Sequence, residues 1–169
     1  MKKKILVTGG AGYLGHYVVK ELLQNKHNVT VLDNLYFGDK GLKTFVNDPK
    51  FSFIKGDICI EKDVRKALSG VDKVISLAAI VGDPASNLDE ETTVQINYEA
   101  NRLLVDLCIE KQVRKIIFAS SCSVYGIMPN DTKYLTEKST LNPVSIYAKT
   151  RIDSEKYLFQ HSDKISPVV

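Results

Sequence analysis

Residues 8–15 read TGGAGYLG, directly after the apolar run Ile5, Leu6, Val7 and directly before an amphipathic stretch. A strand that turns sharply into a helix through glycines makes a phosphate cradle. Gly10, Gly12 and Gly15 fit G-x-G-x-x-G, and Gly9, Gly12 and Gly15 also stand three apart. One glycine permits a tight turn, one lets the backbone approach a pyrophosphate, and one lets the helix pack closely on the strand. The helix N-terminus adds free N–H groups and positive dipole density. Glycine turns of this kind also arise for packing alone, so the loop needs a second element beside it.

Asp33 is that element. Val29, Thr30, Val31 and Leu32 read as a second strand that ends at Asp33, 18 residues after Gly15. In a dinucleotide-binding unit an acid about 20 residues on accepts hydrogen bonds from the adenosine ribose. A plain turn or cap residue is the alternative. Asn34, Leu35 and Tyr36 follow, with no Arg or Lys beside the carboxylate. A 2′-phosphate would meet a negative charge with no nearby cation, so these residues favour NAD over NADP.

Bulk properties narrow the classes. A chain of 169 residues is one domain by length, and 44% hydrophobic content supports a real core. The formal charge is +3, with both signs mixed along the chain. Lys2, Lys3 and Lys4 form the only like-charge run, which reads as a solvated lead-in rather than a nucleic-acid arm. The apolar run behind them is too short for a signal peptide, and residues 8–10 break it. No stretch is long enough to span a membrane. Cys59, Cys108 and Cys122 are odd in number and lack metal-ligand spacing. They suit a reducing cytoplasm, and no metal is expected.

Strand and helix signals alternate from end to end. Strands are expected near 3–8, 28–33, 51–56, 72–78 and 114–120, and helices near 13–25, 61–69, 88–111 and 146–160. Residues 42–48 add a candidate short helix before Pro49. Leu103, Leu104, Leu107, Cys108 and Ile109 give the third long helix an apolar face. Repeated strand–helix–strand units predict an α/β fold: a doubly wound parallel sheet with helices on both faces, the Rossmann fold. Residues 165–169 read as the opening of a sixth strand. The expectation is one NAD-binding domain over 1–169, truncated at that strand, with the C-terminal substrate domain absent. A naturally short chain is the alternative.

Six segments stand in order: TGGAGYLG at 8–15, VLDN at 31–34, GDI at 56–58, LAA at 77–79, SSCSVYG at 120–126 and the tyrosine motif at 147–151. By them the chain resembles the N-terminal, cofactor-binding part of the extended short-chain dehydrogenases/reductases, the NAD-dependent nucleotide-sugar epimerases and dehydratases. The resemblance covers essentially all of the chain and is nearest to UDP-glucose 4-epimerases. It implies NAD as cofactor, held by Gly9, Gly12, Tyr13, Leu14, Gly15, Asp33, Asn34, Asp57, Ile58, Leu77, Ala78, Ala79, Tyr147 and Arg151. Asp57 can meet the adenine amino group while Ile58 supplies an apolar wall; a turn Asp is the alternative. Small residues at 78 and 79 let a cofactor pass close to the backbone. A matching Asn97 orders the active-site strands in the family, although a solvent-facing Asn would look the same.

The resemblance makes Ser121 the catalytic hydroxyl and Ser123 a substrate contact, with Cys122 a packing residue between them. Tyr147 is the expected acid/base. Free tyrosine titrates near ~10, so it needs help to act as a base at neutral pH. The family uses the oxidised nicotinamide and a lysine four residues on, about 400° around the helix and so on the same face. Here that position is Arg151. Lys149, about 200° away, points elsewhere. Arg151 keeps the charge and donors but is planar and cannot shuttle a proton. A working variant and a weakened site both stay open.

The implied reaction is epimerisation of a nucleotide sugar through a 4-keto intermediate formed by reversible hydride transfer. Family dehydratases carry an Asp–Glu pair after the catalytic hydroxyl residue. Cys122 and Ser123 stand there instead, which argues against dehydration. An NAD-dependent dehydrogenase or reductase and a non-catalytic NAD-binding module are the alternatives. The resemblance also implies a homodimer through the helices near 88–111 and 146–160.

Overall fold

In the computed structural model, which describes residues 3–82, 89–127 and 134–169, six parallel strands form one sheet. They are β1 (Lys4–Thr8), β2 (Asn28–Asp33), β3 (Phe51–Lys55), β4 (Lys73–Ser76), β5 (Lys115–Phe118) and β6 (Ser166–Val168), in the spatial order β3-β2-β1-β4-β5-β6. The chain starts mid-sheet, moves outward to β3, then crosses back and fills the other side. The reversal between β1 and β4 is a topological switch point, where the carboxyl ends of the strands open a crevice.

The helices are α1 (Tyr13–Gln24), α2 (Glu61–Ala67), α3 (Glu90–Val94), α4 (Ala100–Glu110) and α5 (Ile146–Gln160). Right-handed crossovers decide their faces. The step from β1 to β2 puts α1 on one face. Steps in the opposite direction put α2, α3–α4 and α5 on the other. The apolar side chains follow. Ile5, Val7, Val29 and Val31 pack with Val19 and Leu23 of α1. Leu6, Leu32, Val74, Ile116 and Phe118 pack with Val64 of α2, Leu104 and Leu107 of α4, and Leu158 of α5.

Two expectations are adjusted. Residues 42–48 form no helix but a run of turns, closed by Leu42 N–H to Asp39 O, Phe45 N–H to Leu42 O and Asp48 N–H to Phe45 O. Every such bond spans three residues, so the chain curls without reaching α-helical pitch. The long helix is described from Glu90, and position 88 lies outside the described residues, as does Lys2. That helix is also interrupted by a π-helical turn at Gln95–Glu99. Residues 166–168 do pair in parallel with β5, as the sixth strand. No described helix is long and apolar enough to cross a membrane.

Candidate functional site

The site lies along the carboxyl edge of the sheet and begins at the glycine loop. Gly9 has φ +71°, and a Cβ there would lie 2.7 Å from the Ala78 nitrogen. A Cβ on Gly15 would sit 2.4 Å from the Gly9 carbonyl oxygen, so α1 packs against its own loop only with glycine there. Gly12 differs: its nearest neighbour is the Gly9 carbonyl oxygen at 3.4 Å, and beyond that the space is open. The first turn of α1 has no side-chain cap and no acidic residue. Its unsatisfied N–H groups therefore face an open, electropositive cradle. Tyr13 and Leu14, in that turn, are exposed.

Asp33 ties the cradle to β2. Its carboxylate accepts from Ala11 N–H at 3.0 Å and from Leu35 N–H at 2.8 Å. A carboxylate has about four lone-pair sites, so two remain for further donors. Asn34 donates to Asp57 at 3.2 Å, joining the ends of β2 and β3. Asp57 also accepts from Cys59 N–H at 2.8 Å. Burial, with Asp57 beside it, pushes the Cys59 thiol up to about 11. Ile58 is buried in the core beneath this edge, together with Leu32 and Val64.

The middle of the edge is held by groups that the sequence left undecided. The buried Thr8 hydroxyl oxygen accepts from Leu77 N–H at 3.3 Å and from Ala78 N–H at 3.4 Å. Asn97 is fully buried. Its side chain grips Ile80 at both ends, donating to the carbonyl at 2.8 Å and accepting from the N–H at 2.9 Å. The Asn97 carbonyl, within the π turn, accepts from Asn101 Nδ2 at 2.8 Å and from Ser154 Oγ at 3.0 Å. Ser76 Oγ in turn donates to Asn101 Oδ1 at 2.9 Å. This network positions the residues after β4, and of its members the sequence singles out only Asn97, through the family resemblance.

At the far end, Ser121 caps a short 3₁₀ turn, Cys122–Tyr125. Its Oγ accepts from Ser123 N–H at 3.2 Å and lies 3.1 Å from Ser123 Oγ. Cys122 is exposed rather than packed, because the buried side of this turn is Val124. Gly126 brings the turn against the chain entering α5: a Cβ there would lie 1.6 Å from the Asn142 carbonyl oxygen. Ser145 then caps α5 by accepting from Ala148 N–H at 3.2 Å. Glu155 of α5 accepts from Ser120 Oγ.

Tyr147 and Arg151 are both buried on α5, and Lys149 is exposed. The Arg151 guanidinium lies 5.0 Å from the Tyr147 ring centroid and 5.3 Å from that of Phe118 at the end of β5. It makes no ion pair among the described residues, and its Nε has no partner. Burial pulls its pKa below the ordinary arginine value, and Tyr147 works in the opposite direction. A buried cation between two rings, with an unused donor, is an unfinished site.

Residues 5–168 match the model of the NAD dependent epimerase/dehydratase family. The chain belongs to that family. It is 35% identical over 162 residues to a Bacillus subtilis protein named as an uncharacterized UDP-glucose epimerase, YtcB, covering 90% of this chain and 50% of that one. It is 30% identical over 164 residues to the human sterol-4-alpha-carboxylate 3-dehydrogenase, decarboxylating, covering 95% and 40%. Among solved structures, UDP-glucuronic acid 4-epimerase from Bacillus cereus, in complex with UDP-glucuronic acid and NAD, has a TM-score of 0.89. That match is 28% identical and covers 98% of this chain and 55% of that one. The chain thus spans about half the length of the relatives it matches.

The family's NAD suits the groups present. The open cradle at Gly12 and the uncapped α1 fit a pyrophosphate, Asp33 has spare acceptor capacity for a ribose, and Arg151 has an unpaired donor. Among the described residues, no cluster of His, Cys, Asp or Glu could hold a metal ion.

Proposed function

We propose that the protein is an NAD-dependent nucleotide-sugar epimerase, with residues 1–169 as its cofactor-binding part. The observation that supports this reading best is the Arg151 guanidinium set between the rings of Tyr147 and of Phe118, the last residue of β5, from which the chain runs on to Ser121. When bound, NAD supplies a reversible hydride acceptor. Tyr147 takes the proton from the sugar hydroxyl and returns it. Ser121 donates to the same sugar oxygen, with Ser123 alongside to contact substrate. Arg151 supplies fixed positive charge beside Tyr147 and donors for the nicotinamide ribose. It cannot relay a proton, so the proton that Tyr147 takes stays on Tyr147 until it is returned to the sugar oxygen. Asp57 serves the adenine, and Leu77, Ala78 and Ala79 pass the cofactor along the end of β4. The protein works in the cytoplasm as a homodimer through α3–α4 and α5.

A second reading, a dehydrogenase that releases reduced cofactor, is favoured by the similarity to the sterol dehydrogenases. Binding of NAD to this chain, with a nucleotide-sugar turnover screen on this chain and on a longer gene product, separates the readings. The epimerase reading expects NAD binding by both and sugar interconversion, without net NADH release, by the longer one. Net NADH release supports the dehydrogenase. Binding without turnover in the longer product leaves a non-catalytic NAD module.

A further inference from the structure

Arg151 stands apart from the other arginines on helices. Arg65 takes Glu61, one turn away, at 2.6 Å, and Arg102 takes Glu99 at 3.0 Å. Arg151 has one acidic neighbour at such a spacing. Glu155 is four residues on, while the other positions three or four residues away are Tyr147, Ala148 and Ser154. Side chains at that spacing meet on one helix face. Yet no ion pair joins Arg151 to Glu155, or to any other carboxylate among the described residues.

Burial makes the missing pair more telling. The side chains of Arg65 and Arg102 reach water, at 38% and 41% exposure. Arg151 is 2% exposed, and its Nε has no partner. A desolvated cation gains far more from a carboxylate than a surface one does. Having the cation first is the weaker order on an exposed helix, but that preference is small beside the cost of a buried, unpaired charge.

The group that holds Glu155 elsewhere lies on the neighbouring segment. Ser120, two residues past the end of β5, donates its Oγ–H to Oε1 of Glu155. Both side chains are half-buried. The hydroxyl fixes the carboxylate at the exit of β5, and the guanidinium meets the rings of Phe118 and Tyr147 instead.

We propose that Ser120 is a positioning residue: it turns Glu155 away from Arg151, so that the guanidinium beside Tyr147 keeps its charge and its donors for a bound ligand. The proposal rests on the reading of Tyr147 and Arg151 as part of the reaction centre. Without the Ser120 hydroxyl, Glu155 turns back along α5 and pairs with Arg151. The positive charge beside Tyr147 is then neutralised and the donors are taken.

The test reads Arg151 directly in this chain by nuclear magnetic resonance. The Nε–H signal of Arg151 is assigned by its loss in Arg151→Lys. Ser120→Ala should move that signal downfield, the signature of a guanidinium taken by a carboxylate. Adding Glu155→Gln should return it to the wild-type position, because an amide has no charge to pair. Ser120→Thr keeps the hydroxyl and should keep the wild-type position, as should Glu155→Gln alone. Far-UV circular dichroism checks each fold, with Ser120→Gly in reserve for the alanine variant. Turnover of a longer gene product gives a second readout. Ser120→Ala should lower kcat about tenfold with the sugar KM within about twofold, and Glu155→Gln in the same protein should restore most of the loss. An unmoved signal in Ser120→Ala, or a shift or kcat loss that Glu155→Gln does not reverse, overturns the proposal. A longer product without turnover contradicts the epimerase reading instead, and the Nε–H signal still decides this one.

Discussion

At the glycine-loop end, Asp33 holds two backbone N–H groups and Gly12 leaves open space above an uncapped helix. At the Tyr147 end, a buried guanidinium stands between two rings with its Nε unpaired. At the first end Asp33 is held in place by the chain itself, and the N–H groups of the first α1 turn are left facing the open cradle. The second carries a desolvated cation that the protein alone does not satisfy, at a cost that a bound partner can offset. Cofactor affinity should therefore be built mainly at the first end, and sensitivity to reaction state at the second.

Substitutions can break that division. The largest effect is expected from Tyr147→Phe in a longer, active gene product. It should lower kcat by about 10²–10⁴-fold while NAD affinity stays within about twofold. A matching loss of affinity in a calorimetric titration would mean that the two ends are not separable. Next comes a pair within the loop. Gly15→Ala forces a Cβ to 2.4 Å from a carbonyl oxygen. It should cost about 1–3 kcal/mol or more in urea unfolding, as overpacking does. Gly12→Ala meets no such clash. It should cost less than about 1 kcal/mol of stability. Its effect should fall on NAD affinity, weakened about tenfold, or 1.4 kcal/mol. Equal stability losses in the pair would remove the distinction between packing glycine and cradle glycine.

The smallest effect is expected at Arg151. Arg151→Lys keeps the charge and shares the face of Tyr147, so turnover should change by no more than about tenfold, or ~1.4 kcal/mol. A much larger rise would mean that the native arginine impairs the site. A much larger fall would mean that the ring contacts to Phe118 and Tyr147 are what hold Tyr147 in place.

The loop end was legible because its signals are local. Glycine spacing, the strand before it and Asp33 all lie within one strand–helix–strand unit, where backbone rules decide the geometry. Each glycine's separate task was not legible: the clash partner of Gly9 is Ala78, far along the chain, and that of Gly10 is the side chain of Val31 on the neighbouring strand. The Tyr147 end was legible only as a list of residues. Its assembly depends on contacts between distant segments: Gly126 against Asn142, Arg151 against Phe118, Ser120 bonded to Glu155. Asn97 shows the limit most plainly. Mid-helix polarity could not separate a solvent-facing side chain from the buried clamp on Ile80 that Asn97 makes from within the π turn. At 42–48 the candidate short helix before Pro49 is replaced by turns closed over three residues.

The central claim is that the carboxyl edge of this sheet is an NAD site whose selectivity comes from Asp33. Isothermal titration of this chain with NAD and with NADP tests it most directly. The account predicts saturable binding of NAD and at least about tenfold weaker binding of NADP, since a 2′-phosphate would meet the Asp33 carboxylate. Failure to bind NAD, or a preference for NADP, would contradict it.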